Sequence, residues 1–217
     1  MKNFNRNLVD SVELSTVTVA GKRHYKLPDG KLVPSVTTVL SEKLPKHGLL
    51  EWQEKQGEEK VAAILAEASR RGTVIHAIAE KYVLGDPEYL TGVNFLDKVS
   101  FRPIRRALDD NVDNIMGIEV PLYNKKLNTA GRTDLIAQYN GVNSVIDFKT
   151  SLKSKKEEWI ENYFLQATVY SMMFEITYKI HIPQIVIIIS ADTENHAQIF
   201  IKKRSPFVKK VIEVFAS

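Results

Sequence analysis

Apolar positions along this chain switch between a strand-like period of two and a helix-like period of about 3.6. Ser15 to Ala20 (STVTVA) and Lys22 to Leu27 (KRHYKL) flank Gly21, and Pro28-Asp29-Gly30 is a turn signal, so the chain opens on short strands. PSVTTVLSEKL follows, from Pro34 to Leu44, with β-branched residues at its start. From Leu49 to Leu84 the pattern is helical, with Ala62, Ala63, Leu65 and Ala66 as good helix formers. Gly57 and Gly72 predict interruptions, and Gly85-Asp86-Pro87 a stop. A second helical stretch covers Val93 to Asp110, and its Pro103 is expected near a helix start or at a kink.

From Met116 the period shortens. GIEVPLYN, RTDLIAQY and NSVIDFK predict three successive strands. Leu152 to Tyr178 predicts one long helix, Ile185 to Ser190 a buried central strand, His196 to Lys202 another strand, and Phe207 to Phe215 a short amphipathic helix. The pattern implies an α/β or α+β fold, a mixed central β-sheet flanked by helices. The 217 residues fit a single domain, with a helical segment over about 45–112 and the core sheet and C-terminal helices over about 113–217.

Two aspartates and a lysine interrupt the predicted strands. Asn140-Gly141, between alternating apolar residues, is a strong hairpin signal. In a two-residue hairpin Tyr139 pairs with Val142. Counting back along both strands then brings Asp134 opposite Asp147, with Lys149 on the same face. An odd-length loop or a bulge would break this register. Opposed carboxylates need a proton, a cationic neighbour or a metal ion. Leu135, Ile136, Val145 and Ile146 mark these strands as internal, which favours a divalent metal held by oxygen, Mg²⁺ or Mn²⁺, over a plain ion pair.

His76 and Glu80 stand four residues apart in RGTVIHAIAE, hence on one helix face. Trp159, Tyr163, Gln166 and Tyr170 form a helical stripe. Trp159 is expected to pack in the core, whereas an aromatic and an amide facing the site could bind a base or a phosphate.

Composition narrows the chemistry. Cysteine is absent, which excludes disulfides, thiolate nucleophiles and cysteine-held iron–sulfur clusters. Apolar residues make up 44% and charged residues 26%, a soluble balance with no membrane-length apolar run. The first residues contain no signal-like apolar core, so a cytoplasmic location is expected. Net charge is only +4, but basic residues cluster at Arg102–Arg105–Arg106, Lys125–Lys126, Lys153–Lys155–Lys156 and Lys202–Lys203–Arg204, as a polyanionic partner would require.

GRTDLIAQ and IDFKTS together resemble the signature of the PD-(D/E)xK nuclease superfamily, with Asp134 as the first acid and Asp147-Phe148-Lys149 as the second half. GTVIHAIAE and Gln166-xxx-Tyr170 are similar to the extra motifs of its RecB-like branch. The order of segments from Pro34 to Tyr170 resembles bacteriophage exonucleases and mitochondrial genome-maintenance exonucleases. Thr133 stands where the proline of the superfamily's name would be.

The resemblance implies a restriction-endonuclease-like core and a metal-dependent deoxyribonuclease, an exonuclease acting on single-stranded DNA ends in replication, recombination or repair. It implies that Asp134, Asp147 and Lys149 are catalytic, and that His76, Asp134, Asp147 and the Phe148 carbonyl bind one or two Mg²⁺ or Mn²⁺ ions. Glu80 and Glu119 would support those ligands or hold a second ion. Gln166 and Tyr170 would organise the site and the DNA backbone, and Ser35, Thr37, Thr150, Ser151 and Lys153 are further candidates for DNA contact. The expected partners are DNA and a recombination or replication protein, in a bacterial or phage-infected cell, with no membrane. The rival readings are a structure-specific endonuclease, a non-catalytic DNA-binding subunit of the same fold, and a metal-stabilised structural domain.

Overall fold

The structure, a computed structural model, describes residues 1–45 and 56–216. Strands β1 (Thr16–Val19), β2 (Lys22–Lys26) and β3 (Leu32–Pro34) form a small antiparallel sheet. It packs on the main body through Leu14, Tyr25, Leu27, Val33 and Ala130. Helix α1 (Val36–Lys43) starts immediately afterwards, because Ser35 is an N-cap whose hydroxyl accepts from the Thr38 N–H.

Helix α2 (Glu58–Leu84) and helix α3 (Phe95–Asn111) form the helical segment. The expected helix start at Leu49 lies outside the described residues. Gly57 caps α2 at a φ of 80°, and Gly85 ends it in a left-handed turn. Gly72 causes no interruption. The residues after it, Ile75, Ile78, Ala79, Tyr82 and Val83, are buried, and that packing outweighs a glycine cost of about 1 kcal/mol. Pro103 stands in the interior of α3, which continues to Asn111.

The central sheet contains β4 (Val112–Asn124), β5 (Thr129–Tyr139), β6 (Val142–Ser151), β7 (Gln184–Ala191) and β8 (Gln198–Lys203), in that order. Its pairings are antiparallel except β6 with β7. That parallel step needs a crossover, which α4 (Glu161–Tyr178) supplies. Helix α5 (Ser205–Ala216) closes the chain. The result is the mixed α+β architecture expected, a five-stranded mixed sheet flanked by helices. β7 is buried almost throughout, as its apolar run implies, and lies between β6 and β8.

Strand alternation assigns the two faces. Ile136, Val145, Ile185, Ile187 and Ile189 pack with α1, α4 and α5. Leu135, Ala137, Ile146, Phe148, Val186 and Ile188 pack with α2 and α3. The N-terminal segment covers the outer edge of β4, where Asn7 and Val9 donate to the Ile115 and Met116 carbonyls at 2.7 and 2.8 Å.

Helix α4 begins at Glu161, not at Leu152. Residues 152–156 are irregular, and Glu157–Trp159 is a single 3₁₀ turn. The Gln198 side chain takes both the N–H and the carbonyl of Lys155, at 2.7 and 3.0 Å, so β8 captures backbone groups that a helix would have used. Trp159 therefore falls outside the α4 stripe and is 60% exposed, where core packing was expected. Among the described residues, no helix is long and apolar enough to cross a membrane.

Gly72 has no positive φ, and a Cβ built there meets nothing within 4 Å. Gly72→Ala should therefore raise stability by about 0.4–1 kcal/mol, read as a higher urea midpoint. An unchanged or lower midpoint would show that the glycine serves something other than the helix.

Candidate active site

The Asn140-Gly141 hairpin forms as the sequence requires, with φ of 51° and 77° at its two turn residues. Pairing runs from Tyr139 with Val142 to Leu135 with Ile146 and then stops. At the next position the Asp134 side chain enters the ladder. Its Oδ2 accepts the Phe148 backbone N–H at 2.8 Å. Asp134 thus occupies a wedge between β5 and β6, satisfying a donor that the parted strand would have left open.

His76, on α2, fills the same wedge. Its Nε2 donates to the Phe148 carbonyl at 2.9 Å, and its Nδ1 lies 3.2 Å from Asp134 Oδ1. Both ring nitrogens face acceptors, so the ring is held doubly protonated. Burial opposes that charge, but the Asp134 carboxylate and, more weakly, Asp147 outweigh it and push the His76 pKa up to about 9. Asp134 itself is held below the ordinary carboxylate range: burial opposes its ionisation, and His76, Lys149 and the Phe148 N–H overcome that opposition.

Glu119 approaches from β4, whose register places it across from Asp134, between the Ile118–Leu135 and Val120–Thr133 pairs. Its φ of 49° is rare for a residue with a side chain and marks backbone held in place by its surroundings. Ligand atoms of His76, Glu119 and Asp134 lie within 4.8 Å of one another and could hold a metal ion. Burial, and then the Asp134 charge, push Glu119 up to about 7, and Glu80 adds to the same repulsion.

Asp147 lies outside that three-residue group. Its buried Oδ2 turns to Lys149 in a close ion pair. Burial pushes its pKa up to about 6, against the attraction of Lys149. Lys149 also lies over the Tyr163 ring, 5.1 Å from its centroid. Burial would lower the Lys149 pKa, but Asp147 and Asp134 raise it above the ordinary value, so Lys149 is an ammonium at neutral pH.

The residues present fit a divalent cation. The donors are two carboxylates and an imidazole beside a main-chain carbonyl, a hard-donor set. Glu119 is pushed towards neutrality by burial and by the Asp134 charge, a penalty that a cation between the two carboxylates would remove.

Other expected site residues fall around this centre. Tyr170 is buried and bonded to Gln166, and burial raises its pKa far above the ordinary value. Its phenol lies against Gly131, where a Cβ would come within 2.6 Å of the ring. Ser35 is buried as the α1 cap, also bonded to Thr37 Oγ1 at 3.0 Å, and Thr37 receives Arg23. Ser151 donates to the Lys153 carbonyl at 2.7 Å, Thr150 is half-buried, and the Lys153 side chain is exposed. The residue that sequence reasoning undervalued is Glu119. Its place opposite Asp134 depends on how far β4 extends past a bulge between Asp113 and Gly117, which the sequence does not announce.

A five-stranded mixed sheet thus carries a carboxylate–imidazole centre with a charged lysine beside it. No family model matches the chain. Over 146 residues it is 27% identical to mitochondrial genome maintenance exonuclease 1 of Mus musculus, an alignment covering 64% of this chain and 43% of the mouse protein. The chain thus spans less than half the length of that curated relative.

The charge pattern predicts how stability follows pH. Glu119, Asp147 and His76 have folded pKa values above their ordinary ones, so each binds more protons folded than unfolded. Their contributions are present at low pH and lost as pH rises through about 6, 7 and 9. Asp134, held low, contributes in the opposite sense, but only below its ordinary 3.8. The metal-free protein should therefore melt at progressively lower temperature from pH 5 to pH 9, and added Mn²⁺ should restore more at pH 8 than at pH 5.5. A melting temperature that rises with pH over this window would contradict the assigned charges.

Proposed function

We propose that this chain is a divalent-metal-dependent deoxyribonuclease of the PD-(D/E)xK superfamily, RecB-like branch, that digests single-stranded DNA from its ends. The observation that carries the reading is the convergence of His76, Glu119 and Asp134 at the β5–β6 wedge, with the Asp147–Lys149 pair beside it. The 27% identity to a mouse protein named as an exonuclease supports the same class.

A Mg²⁺ or Mn²⁺ ion held there would supply Lewis acidity to the scissile phosphate and lower the pKa of water. Asp134 and Glu119 offer it carboxylate oxygens, and the Phe148 N–H fixes the orientation of the Asp134 carboxylate. His76 must give up one proton to become a ligand. Asp147 serves twice, as a carboxylate beside the centre and as the counter-ion that keeps Lys149 charged. Lys149 then acts as a fixed cation where negative charge accumulates on the phosphate, rather than as a base. Gln166 holds the Tyr170 phenol, which packs against Gly131 three residues before Asp134. The helical segment, α2 and α3, covers the face from which His76 reaches in, and is proposed to guide the strand to the centre.

End-labelled linear single strands should shorten progressively in Mg²⁺ or Mn²⁺ and stay intact in EDTA. A circular single strand should resist under the same conditions. Circular and linear strands cut at equal rates would favour the endonuclease reading instead. Lys149→Gln should lower turnover by about 100-fold or more while Mn²⁺ binding, followed by calorimetry, persists. Turnover within a few-fold of the parent protein would remove Lys149 from the mechanism.

A further inference from the structure

Trp159 is an aromatic side chain whose position the core does not explain. It lies in the 3₁₀ turn that ends the segment leaving the site strand β6, and it is 60% exposed. Leu152, on the same segment, is 56% exposed. Lys153 and Lys156 project into solvent beside them, and the Lys156 ammonium lies 5.2 Å from the indole centroid. Glu157 is turned away to Lys202 at 2.6 Å, while Glu158 lies 3.9 Å from Lys156.

The segment is fixed in place before any ligand arrives. Ser151 Oγ holds the Lys153 carbonyl at 2.7 Å, and Ser154 Oγ holds Glu194 at 2.7 Å. Gln198 holds Lys155 through two hydrogen bonds, and Ile160, next to the indole in sequence, is buried. A side chain carried on such a rigid segment loses little further freedom on binding. The segment starts three residues past Lys149, so it leads directly out of the active centre.

We infer that Trp159, with Lys153 and Lys156, is a stacking platform for an unpaired base of the DNA strand at the active centre; this rests on the nuclease reading above. Lys156 lies over one face of the indole, which leaves the opposite π-face for any base to stack on, with the ammonium groups of Lys153 and Lys156 placed for the adjoining phosphates. A base within a duplex cannot use it, because its faces are already stacked. The platform therefore favours single strands without selecting sequence. A protein partner of ordinary size would need roughly 800 Å² of surface around an apolar, charge-poor centre. The aromatic here is ringed by charged side chains instead.

The test compares the parent protein with Trp159→Ala and Trp159→Phe, by anisotropy of a labelled oligothymidylate and of a blunt duplex, in EDTA so that nothing is cut. Trp159→Ala should weaken single-strand binding roughly 5- to 140-fold, Trp159→Phe should keep most of it, and duplex binding should change less than about twofold. Single-strand binding by Trp159→Ala within about twofold of the parent overturns the platform, as does an equal loss for single strand and duplex. If the parent still digests linear DNA in Mg²⁺ in that case, the platform falls and the nuclease reading stands. A parent protein that neither binds nor digests DNA overturns both.

Discussion

The site depends on one hydrogen bond, from the Phe148 N–H to the Asp134 carboxylate. It stands where a β5–β6 ladder bond would otherwise be, and it lets two buried strands part without orphaning the donor. The wedge that results admits His76 from α2 on one side and Glu119 from β4 on the other. A continuous ladder would have left no room for either. The hydrophobic layers on both faces hold the strands rigid up to this point, through Leu135 and Ile146 on one face and Ile136 and Val145 on the other.

Placing so many ionisable groups together divides them by charge state. Asp134 stays ionised because His76 and Lys149 face it, and Lys149 stays charged because Asp147 faces it. Asp147 and Glu119, more buried than compensated, are pushed towards neutrality at about 6 and 7. The arrangement is short of positive charge for its carboxylates once His76 becomes neutral, and a divalent cation would supply it. This is a cost to the fold that binding of a cation would recover.

Much of this is legible in the sequence where local chemistry decides the structure. Asn140-Gly141 forces a two-residue turn, and the turn sets the register that brings Asp134 and Asp147 to the same end of adjacent strands. The near-continuous apolar run of Ile185 to Ser190 likewise marks a strand covered on both faces. Long-range contacts are not legible in this way. The left-handed Glu119 follows from how β4 meets β5, and the late start of α4 follows from Gln198 capturing Lys155 across more than forty residues. Trp159 has the spacing of a helical core position, yet it is exposed because the helix that would have buried it begins two residues later.

The central claim is that the β5–β6 wedge is a metal site organised by Asp134, and Mn²⁺ binding at pH 8, followed by electron paramagnetic resonance, tests it most directly. The account predicts saturable binding by the parent protein, and loss of that binding in Asp134→Asn, which keeps the side chain's shape but removes its charge. Equal Mn²⁺ affinity in the two proteins would contradict it.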